Sequence, residues 1–270
     1  MDVVSSKPNI CKRLEGKVAL ITGAAEGIGA CIARVFVYHG AKVVCVDINK
    51  KSGQSVCDEL GPENATFIYG DVTDESDMEK AINTTIEKHG KLDIMINNAA
   101  VSDEPIPSIT DTRLSDFERV ARVNIAGVYL GIKHAARVMI PTQTGCIINL
   151  GSISGRIGGI TSHAYSSSKH AVVGLTRNAA AELGKHGIRV NSLSSHVVLT
   201  EPSRKFFKMD ENGHSKVYTN LNGMILEPED LANAAVFLAS DESRFMSGHD
   251  LMLDGGFTVT NPAFGLFSRL

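Results

Sequence analysis

The sequence predicts an α/β protein built on a doubly wound parallel sheet of about seven strands, with helices on both faces and one domain over residues 1–270. Three observations predict it. Short runs rich in β-branched and apolar residues alternate with helical patterns almost throughout. The runs are continuously apolar, as strands covered on both faces are. The first run leads through a glycine-rich turn into a helix, which gives the arrangement a Rossmann-type character.

In order along the chain, residues 18–22 read as a buried strand and residues 28–39 as a helix. Residues 42–46 form a strand, and residues 49–60 a helix ended by Gly61-Pro62. A strand over 66–69 precedes a helix over 75–88 that stops at Gly90. Residues 92–96 read as a strand, and 116–139 as one long helix ended by Pro141. A strand over 146–150 is followed by a helix over 162–185 that stops at Gly187. Residues 188–193, 228–239 and 250–253 read as strand, helix and final strand. No linker, repeat or low-complexity stretch divides the chain, and residues 1–14 and 261–270 read as tails.

Residues 195–226 break the alternation. They set Phe206, Phe207, Met209 and Tyr218 among polar residues, which predicts a substrate lid rather than a disordered loop. The lid carries little net charge, so its Phe206 and Met209 suit a small apolar substrate.

The composition narrows the function. A 43% hydrophobic content supports a large core, and a dispersed net charge of −3 offers no surface for nucleic acid. No apolar stretch reaches the roughly 18 residues of a membrane span. The five cysteines form no CxxC pair and read as free thiols. With no apolar leader visible, a cytoplasmic location is expected. The histidines show no paired metal-ligand spacing, so no metal is expected.

The chemistry lies at the strand ends. Gly23, Gly27 and Gly29 follow the first strand as GxxxGxG, with Glu26 and Ile28 between them. Glycines allow a tight turn and close approach to a pyrophosphate held at a helix N-terminus. Asp47 ends the second strand, eighteen residues beyond Gly29, followed by Ile48. An acid there can accept from both ribose hydroxyls and repels a 2′-phosphate, which favours NAD. Helix capping is its alternative role. Asp71-Val72 and Asn98-Ala99 follow the third and fourth strands, where small or polar residues can meet the cofactor.

Tyr165 and Lys169 stand four residues apart in a helical pattern, so they share one helix face. A lysine ammonium beside a phenol lowers its ordinary pKa of about 10 and lets it exchange a proton with a substrate oxygen. Ser152 lies thirteen residues upstream of Tyr165, at the end of an apolar run.

These motifs resemble those of the short-chain dehydrogenase/reductase family over nearly the whole chain. The matching residues are Thr22-Gly23-x-x-x-Gly27-x-Gly29, Asp47, Asp71, Asn97-Asn98-Ala99, Asn124, Ser152, Tyr165, Lys169, Asn191-Ser192 and Asp254-Gly255-Gly256. Within the family, the chain is most similar to the plant secoisolariciresinol dehydrogenase-type subgroup, which includes terpenoid alcohol dehydrogenases and nepetalactol-related enzymes of iridoid biosynthesis. The resemblance implies an NAD-dependent dehydrogenase and a homotetramer. Tyr165 would be the acid/base, and Lys169 would lower its pKa and hold the nicotinamide ribose. Ser152 would hold the substrate oxygen, and Asn124 would kink its helix and support a proton-relay water. Val198 and Thr200, after the sixth strand, would meet the cofactor.

The chain departs from the family pattern at Ala100, where glycine is usual, at Ser195-His196, where Pro-Gly is usual, and at Thr200-Glu201-Pro202, where Thr-Pro is usual. Ser154 and His196 join Phe206 and Met209 as candidate substrate contacts. His196 fits either a residue aimed at substrate or a solvent-facing loop histidine. Its position motivates a second expectation: a redox-neutral cyclase of an iridoid enol that holds NAD without turning it over.

Overall fold

A computed structural model of the chain describes residues 12–104, 106–198, 221 and 224–260. Seven parallel strands form one sheet in the order β3-β2-β1-β4-β5-β6-β7. They are β1 (Val18–Thr22), β2 (Lys42–Asp47), β3 (Ala65–Tyr69), β4 (Ile94–Asn97), β5 (Gly145–Leu150), β6 (Ile188–Ser195) and β7 (Asp250–Leu253). The helices between them are α1 (Gly27–Tyr38), α2 (Lys50–Leu60), α3 (Glu75–His89), α4 (Leu114–Ala121), α5 (Gly127–Met139), α6 (His163–Leu183) and α7 (Pro228–Ala239).

The strand pattern explains the two layers. Along β1, Ala19 and Ile21 belong to one buried cluster with Ile32 and Phe36 of α1 and Leu231 and Val236 of α7. Leu20 points the other way and joins Met78 of α3, Ala135 of α5 and Val172 of α6. Side chains alternate in direction along a strand, so an all-apolar strand feeds two cores at once. Each fully buried Leu, Ile or Phe here contributes about 1.5–3 kcal/mol relative to exposure. No helix among the described residues is long and apolar enough to cross a membrane.

The strand order reverses between β1 and β4. In such sheets the crevice beyond the carboxyl ends, at the reversal, is where ligands sit. The ends of β1, β2, β4 and β5 therefore frame the site.

Most elements fall within a few residues of the sequence reading, and α7 keeps the bounds read for it. The long helix over 116–139 is a correction. It starts earlier, at Leu114, and is broken by a π-helical segment, Arg122–Ala126, between α4 and α5. The segment is only five residues long, shorter than the window over which periodicity is read, so the pattern does not reveal it. Its only buried residue is Asn124. The strand read over 92–96 is shifted to Ile94–Asn97, and Asp93, just before it, accepts from the Val18 N–H through its side chain at 2.8 Å.

Candidate active site

The glycine turn closes because side chains are missing from it. Gly23 has φ +64, and a Cβ there would lie 2.8 Å from the Cα of Ala99. A Cβ on Gly29 would lie 2.2 Å from the Gly23 carbonyl oxygen. The turn is thus pressed against the end of β4, which only glycine permits. Thr22 and Asn98 lock the contact. The Asn98 side chain donates to the carbonyls of Thr22 and Gly23, both at 2.9 Å, and Thr22 Oγ1 accepts from the backbone N–H groups of Asn98 and Ala99. Glu26 is the N-cap of α1, exposed and with no side-chain cap bond. Among the described residues, the first N–H groups of α1, Ile28 among them, have no side-chain cap, which suits a pyrophosphate.

Asp47 ties this turn to α2. Its Oδ2 accepts from the Ala25 N–H at 3.0 Å and its Oδ1 from the Asn49 N–H at 2.9 Å. Asn49 is the N-cap of α2 and accepts from the Ser52 N–H, so Asp47 is not the cap. The carboxylate is held in one orientation, with a lone pair on each oxygen still available. Ile48 beside it is 63% exposed. The ammonium of Lys50 stands 4.5 Å from the centroid of the Tyr69 ring. Asp71 is half-buried and accepts from the Thr73 N–H, and Val72 is buried against Gly127. These positions fit an adenosine cofactor: an exposed apolar side chain at Ile48, and beside it an oriented acid tied to the phosphate turn.

Ser152 leads a single 3-10 turn, Ile153–Gly155, at the end of β5. Its hydroxyl accepts from the Ser154 N–H and donates to the Ser154 hydroxyl, both at 3.2 Å. Ser154 is buried and also accepts from Thr161. A Cβ on Gly155 would lie 2.7 Å from the Lys169 carbonyl oxygen, so the turn rests directly on α6. Ser162 caps α6 and accepts from the Tyr165 N–H, while Asp103 accepts from the Ser162 hydroxyl.

Tyr165 is half-buried, and Lys169 is buried and donates to the Leu150 carbonyl at 2.8 Å. Desolvation opposes the lowering of the Tyr165 pKa that Lys169 is expected to give. Desolvation pushes the phenol up to about 12, and a hydrogen bond with Ser152 draws it back only in part. Desolvation also pushes Lys169 down to about 8. The low dielectric that would strengthen their attraction first penalises both charges.

Asn124 is buried. Its Oδ1 accepts from the Val101 N–H at 2.8 Å, and its Nδ2 donates to the Val101 carbonyl at 2.9 Å and to Ser168 at 3.1 Å. The π segment thereby joins the loop after β4 to the catalytic helix. Val198 is buried in the α1–α7 core. His196 is half-buried and packs edge-on against Phe257, with ring centroids 4.8 Å apart. Burial holds its pKa below the usual histidine value, against the nearby Asp254 carboxylate. It is not the solvent-facing histidine of the open alternative. Thr200, Phe206, Met209, most of the 195–226 lid, the 261–270 tail and residues 1–11 of the first tail lie outside the described residues.

One feature escaped the motifs. Asn97 donates to Asn149 at 2.8 Å and Asn149 to Thr176 at 2.9 Å, a buried polar seam from β4 through β5 to α6. The available signal was an asparagine inside the apolar run of β5, where a polar group must find partners.

A sheet with its crevice at the strand reversal, a glycine turn under a helix, and a serine, tyrosine and lysine at the next strand end defines the class: a nicotinamide-binding oxidoreductase. A family model described as enoyl-(acyl carrier protein) reductase matches residues 23–258. Borneol dehydrogenase, mitochondrial, of Lavandula x intermedia is 50% identical over 261 residues, covering 97% of this chain and 98% of that protein. Secoisolariciresinol dehydrogenase of Forsythia intermedia is 50% identical over 262 residues, covering 96% and 95%. Xanthoxin dehydrogenase of Arabidopsis thaliana is 47% identical over 276 residues, covering 97% and 96%. Among solved structures, levodione reductase superposes with a TM-score of 0.87 at 28% identity, over 92% of this chain and 100% of that one. The chain belongs to the short-chain dehydrogenase/reductase family, and it is an oxidoreductase.

Proposed function

We propose that this protein is an NAD-dependent dehydrogenase of a small apolar secondary alcohol or lactol, a terpenoid, iridoid or phenolic specialised metabolite. The observation that carries the proposal is the convergence of Ser152, Tyr165 and Lys169 beside the end of β5, next to a glycine turn built for a dinucleotide. The names of the borneol and secoisolariciresinol dehydrogenases support the substrate class.

When bound, the nicotinamide supplies the hydride acceptor. Ser152 holds the substrate hydroxyl. Tyr165, as phenolate, takes the hydroxyl proton while the carbinol hydrogen leaves as hydride and the carbonyl forms. Lys169 favours that phenolate through its charge and holds the ribose. Asn124 ties the loop after β4 to α6 and supports the proton-relay water. Ser154 and His196 flank the substrate. Asp47 accepts from the ribose hydroxyls and repels a 2′-phosphate, which supports NAD over NADP.

A cytoplasmic homotetramer belongs to the same proposal. Leu114, Phe117 and Tyr129 are exposed on α4 and α5, the apolar surface a second copy would cover. Cys31, Cys45, Cys57 and Cys146 are free, in keeping with a reducing compartment.

The half-buried His196, in place of a backbone turn of Pro-Gly, favours a second reading: a redox-neutral cyclase of an iridoid enol with NAD held but not consumed. One experiment separates the two. Monoterpenoid alcohols, lactols and reactive enol aldehydes are incubated with enzyme and NAD or NADP, and both nicotinamide absorbance and product are followed. Oxidation with NAD reduction supports the dehydrogenase. Ring closure at constant absorbance replaces it with the cyclase, and preference for NADP overturns the role of Asp47.

A further inference from the structure

Asp250, the first residue of β7, is 4% exposed, and both its carboxylate oxygens are engaged. Oδ1 accepts from the hydroxyls of Ser192 at 2.8 Å and Ser194 at 2.6 Å, both on β6. Oδ2 accepts from Arg156 Nε at 2.8 Å. Arg156 is the residue that follows the Ser152 turn: its N–H donates to Ile153 and closes that turn. A half-exposed guanidinium thus reaches from the catalytic turn to a buried carboxylate on the last strand.

The other side of the turn is fixed by close packing. A Cβ on Gly151 would lie 2.1 Å from Ser194 Oγ, and the Gly151 N–H donates to the Leu193 carbonyl at 2.8 Å. Ser194 therefore touches the turn at Gly151 and binds Asp250 at the same time. Gly155 rests on the Lys169 carbonyl. Besides the Thr161 hydroxyl on Ser154, three anchors hold residues 151–156: α6 at Gly155, β6 at Gly151, and β7 through Arg156. Of these, only the third is an ion pair. A carboxylate with so little exposure needs its cationic partner, because removing one member of a buried pair leaves an uncompensated charge.

We infer that Arg156 is the positioning residue for Ser152, acting through Asp250. The inference rests on the dehydrogenase reading, in which Ser152 holds the substrate oxygen. Arg156 touches no reacting atom. It sets where Ser152 and Ser154 stand relative to Tyr165, and so how well the bound hydroxyl is aligned. Misplacement of an oriented group by about 1 Å costs about a hundredfold in rate.

The test measures kcat, KM and NAD affinity for Arg156→Gln, Arg156→Lys, Arg156→Gln/Asp250→Asn and Ser152→Ala, in the full-length protein with a secondary alcohol it oxidises. Arg156→Gln should lower kcat about ten- to a hundredfold while NAD affinity stays within about twofold, because the dinucleotide turn lies two strands away at β1. Arg156→Lys keeps the charge and should retain most of kcat. The double variant leaves no unpaired charge and keeps the link as an amide–amide hydrogen bond, so it should return kcat to within about threefold of the parent. Parental kcat in Arg156→Gln, a loss of NAD affinity in proportion to kcat, or a double variant no faster than the single one overturns the inference. If Arg156→Gln does not fold, the lysine and double variants decide by the same criterion. Ser152→Ala separates the two layers. If it turns over normally, the dehydrogenase reading of Ser152 itself falls. If it is inactive while Arg156→Gln is parental, only the positioning role falls.

Discussion

The Lys169 ammonium stands 5.4 Å from the centroid of the Tyr165 ring, one helical turn along α6. A cation at that distance from an aromatic face is attracted to it, and more strongly when water is excluded. Yet desolvation moves the two groups in opposite directions, the phenol up to about 12 and the ammonium down to about 8. The pair is held in place by the fold before either charge is favoured.

Tyr165→Phe tests the phenol alone. The ring and its packing remain, while the transferable proton is gone. Oxidation should fall by about 10²–10⁴-fold, with NAD affinity little changed. Steady-state rates and a binding titration on the same preparation check both halves, and parental turnover would remove Tyr165 from the mechanism.

Lys169→Met should slow oxidation, raise its pH optimum, and stabilise the cofactor-free protein. The folded-state value of about 8 lies below the ordinary lysine value of 10.5. Between those values the unfolded chain binds the extra proton, so stability rises with pH across that window. Below about pH 8 the folded protein carries the full cost of a buried ammonium, which methionine removes. Allowing for the lost hydrogen bond to Leu150, the variant should gain about 1–3 kcal/mol at pH 7. The gain should shrink toward about pH 10. Urea unfolding at both pH values measures it, and a variant less stable than its parent at pH 7 contradicts the assignment.

The Asp47→Ser/Ile48→Arg variant should move cofactor preference toward NADP by about ten- to a hundredfold. The change removes the negative group at the ribose and supplies a planar donor for a phosphate. It also removes the acceptor for the Ala25 N–H, so NAD affinity should fall at the same time. The ratio of kcat/KM with the two cofactors is the readout. An unchanged ratio would show that the selectivity lies elsewhere in the turn.

Much of this was legible in the sequence, for a physical reason. Buried parallel strands are uniformly apolar, so β1, β2 and β5 announce themselves, and the glycine turn must follow β1 where a backbone meets a phosphate. Tyr165 and Lys169 are four apart, a spacing that helix geometry alone converts into adjacency. What stayed hidden depends on partners distant in sequence. Asp250 looks like the polar start of a strand until Ser192, Ser194 and Arg156 converge on it. The π segment at Asn124 is too short to show in a helical periodicity, and desolvation of Tyr165 comes from packing that no local pattern encodes.

Asn124→Ala probes that π segment. The side chain is 1% exposed and makes three hydrogen bonds, two with Val101 and one with Ser168. Ser168 in turn donates to the Tyr165 carbonyl at 2.7 Å, so Asn124 reaches the catalytic helix through one hydroxyl. Alanine leaves the Val101 N–H and C=O without their side-chain partner, at about 1–3 kcal/mol for each group left unpaired. Part of that is recovered by water at this partly buried loop, so a net loss of about 2–4 kcal/mol is expected. Activity should fall further than the folded fraction does, because the first turn of α6 loses its brace. Asn124→Asp keeps an acceptor for the Val101 N–H but cannot donate to the Val101 carbonyl or to Ser168. It also places a carboxylate against that carbonyl, so it should be no more stable than the alanine variant. Denaturant midpoints at constant m-value give the comparison. A loss under about 1 kcal/mol for Asn124→Ala would mean that the helices hold the π segment without its asparagine.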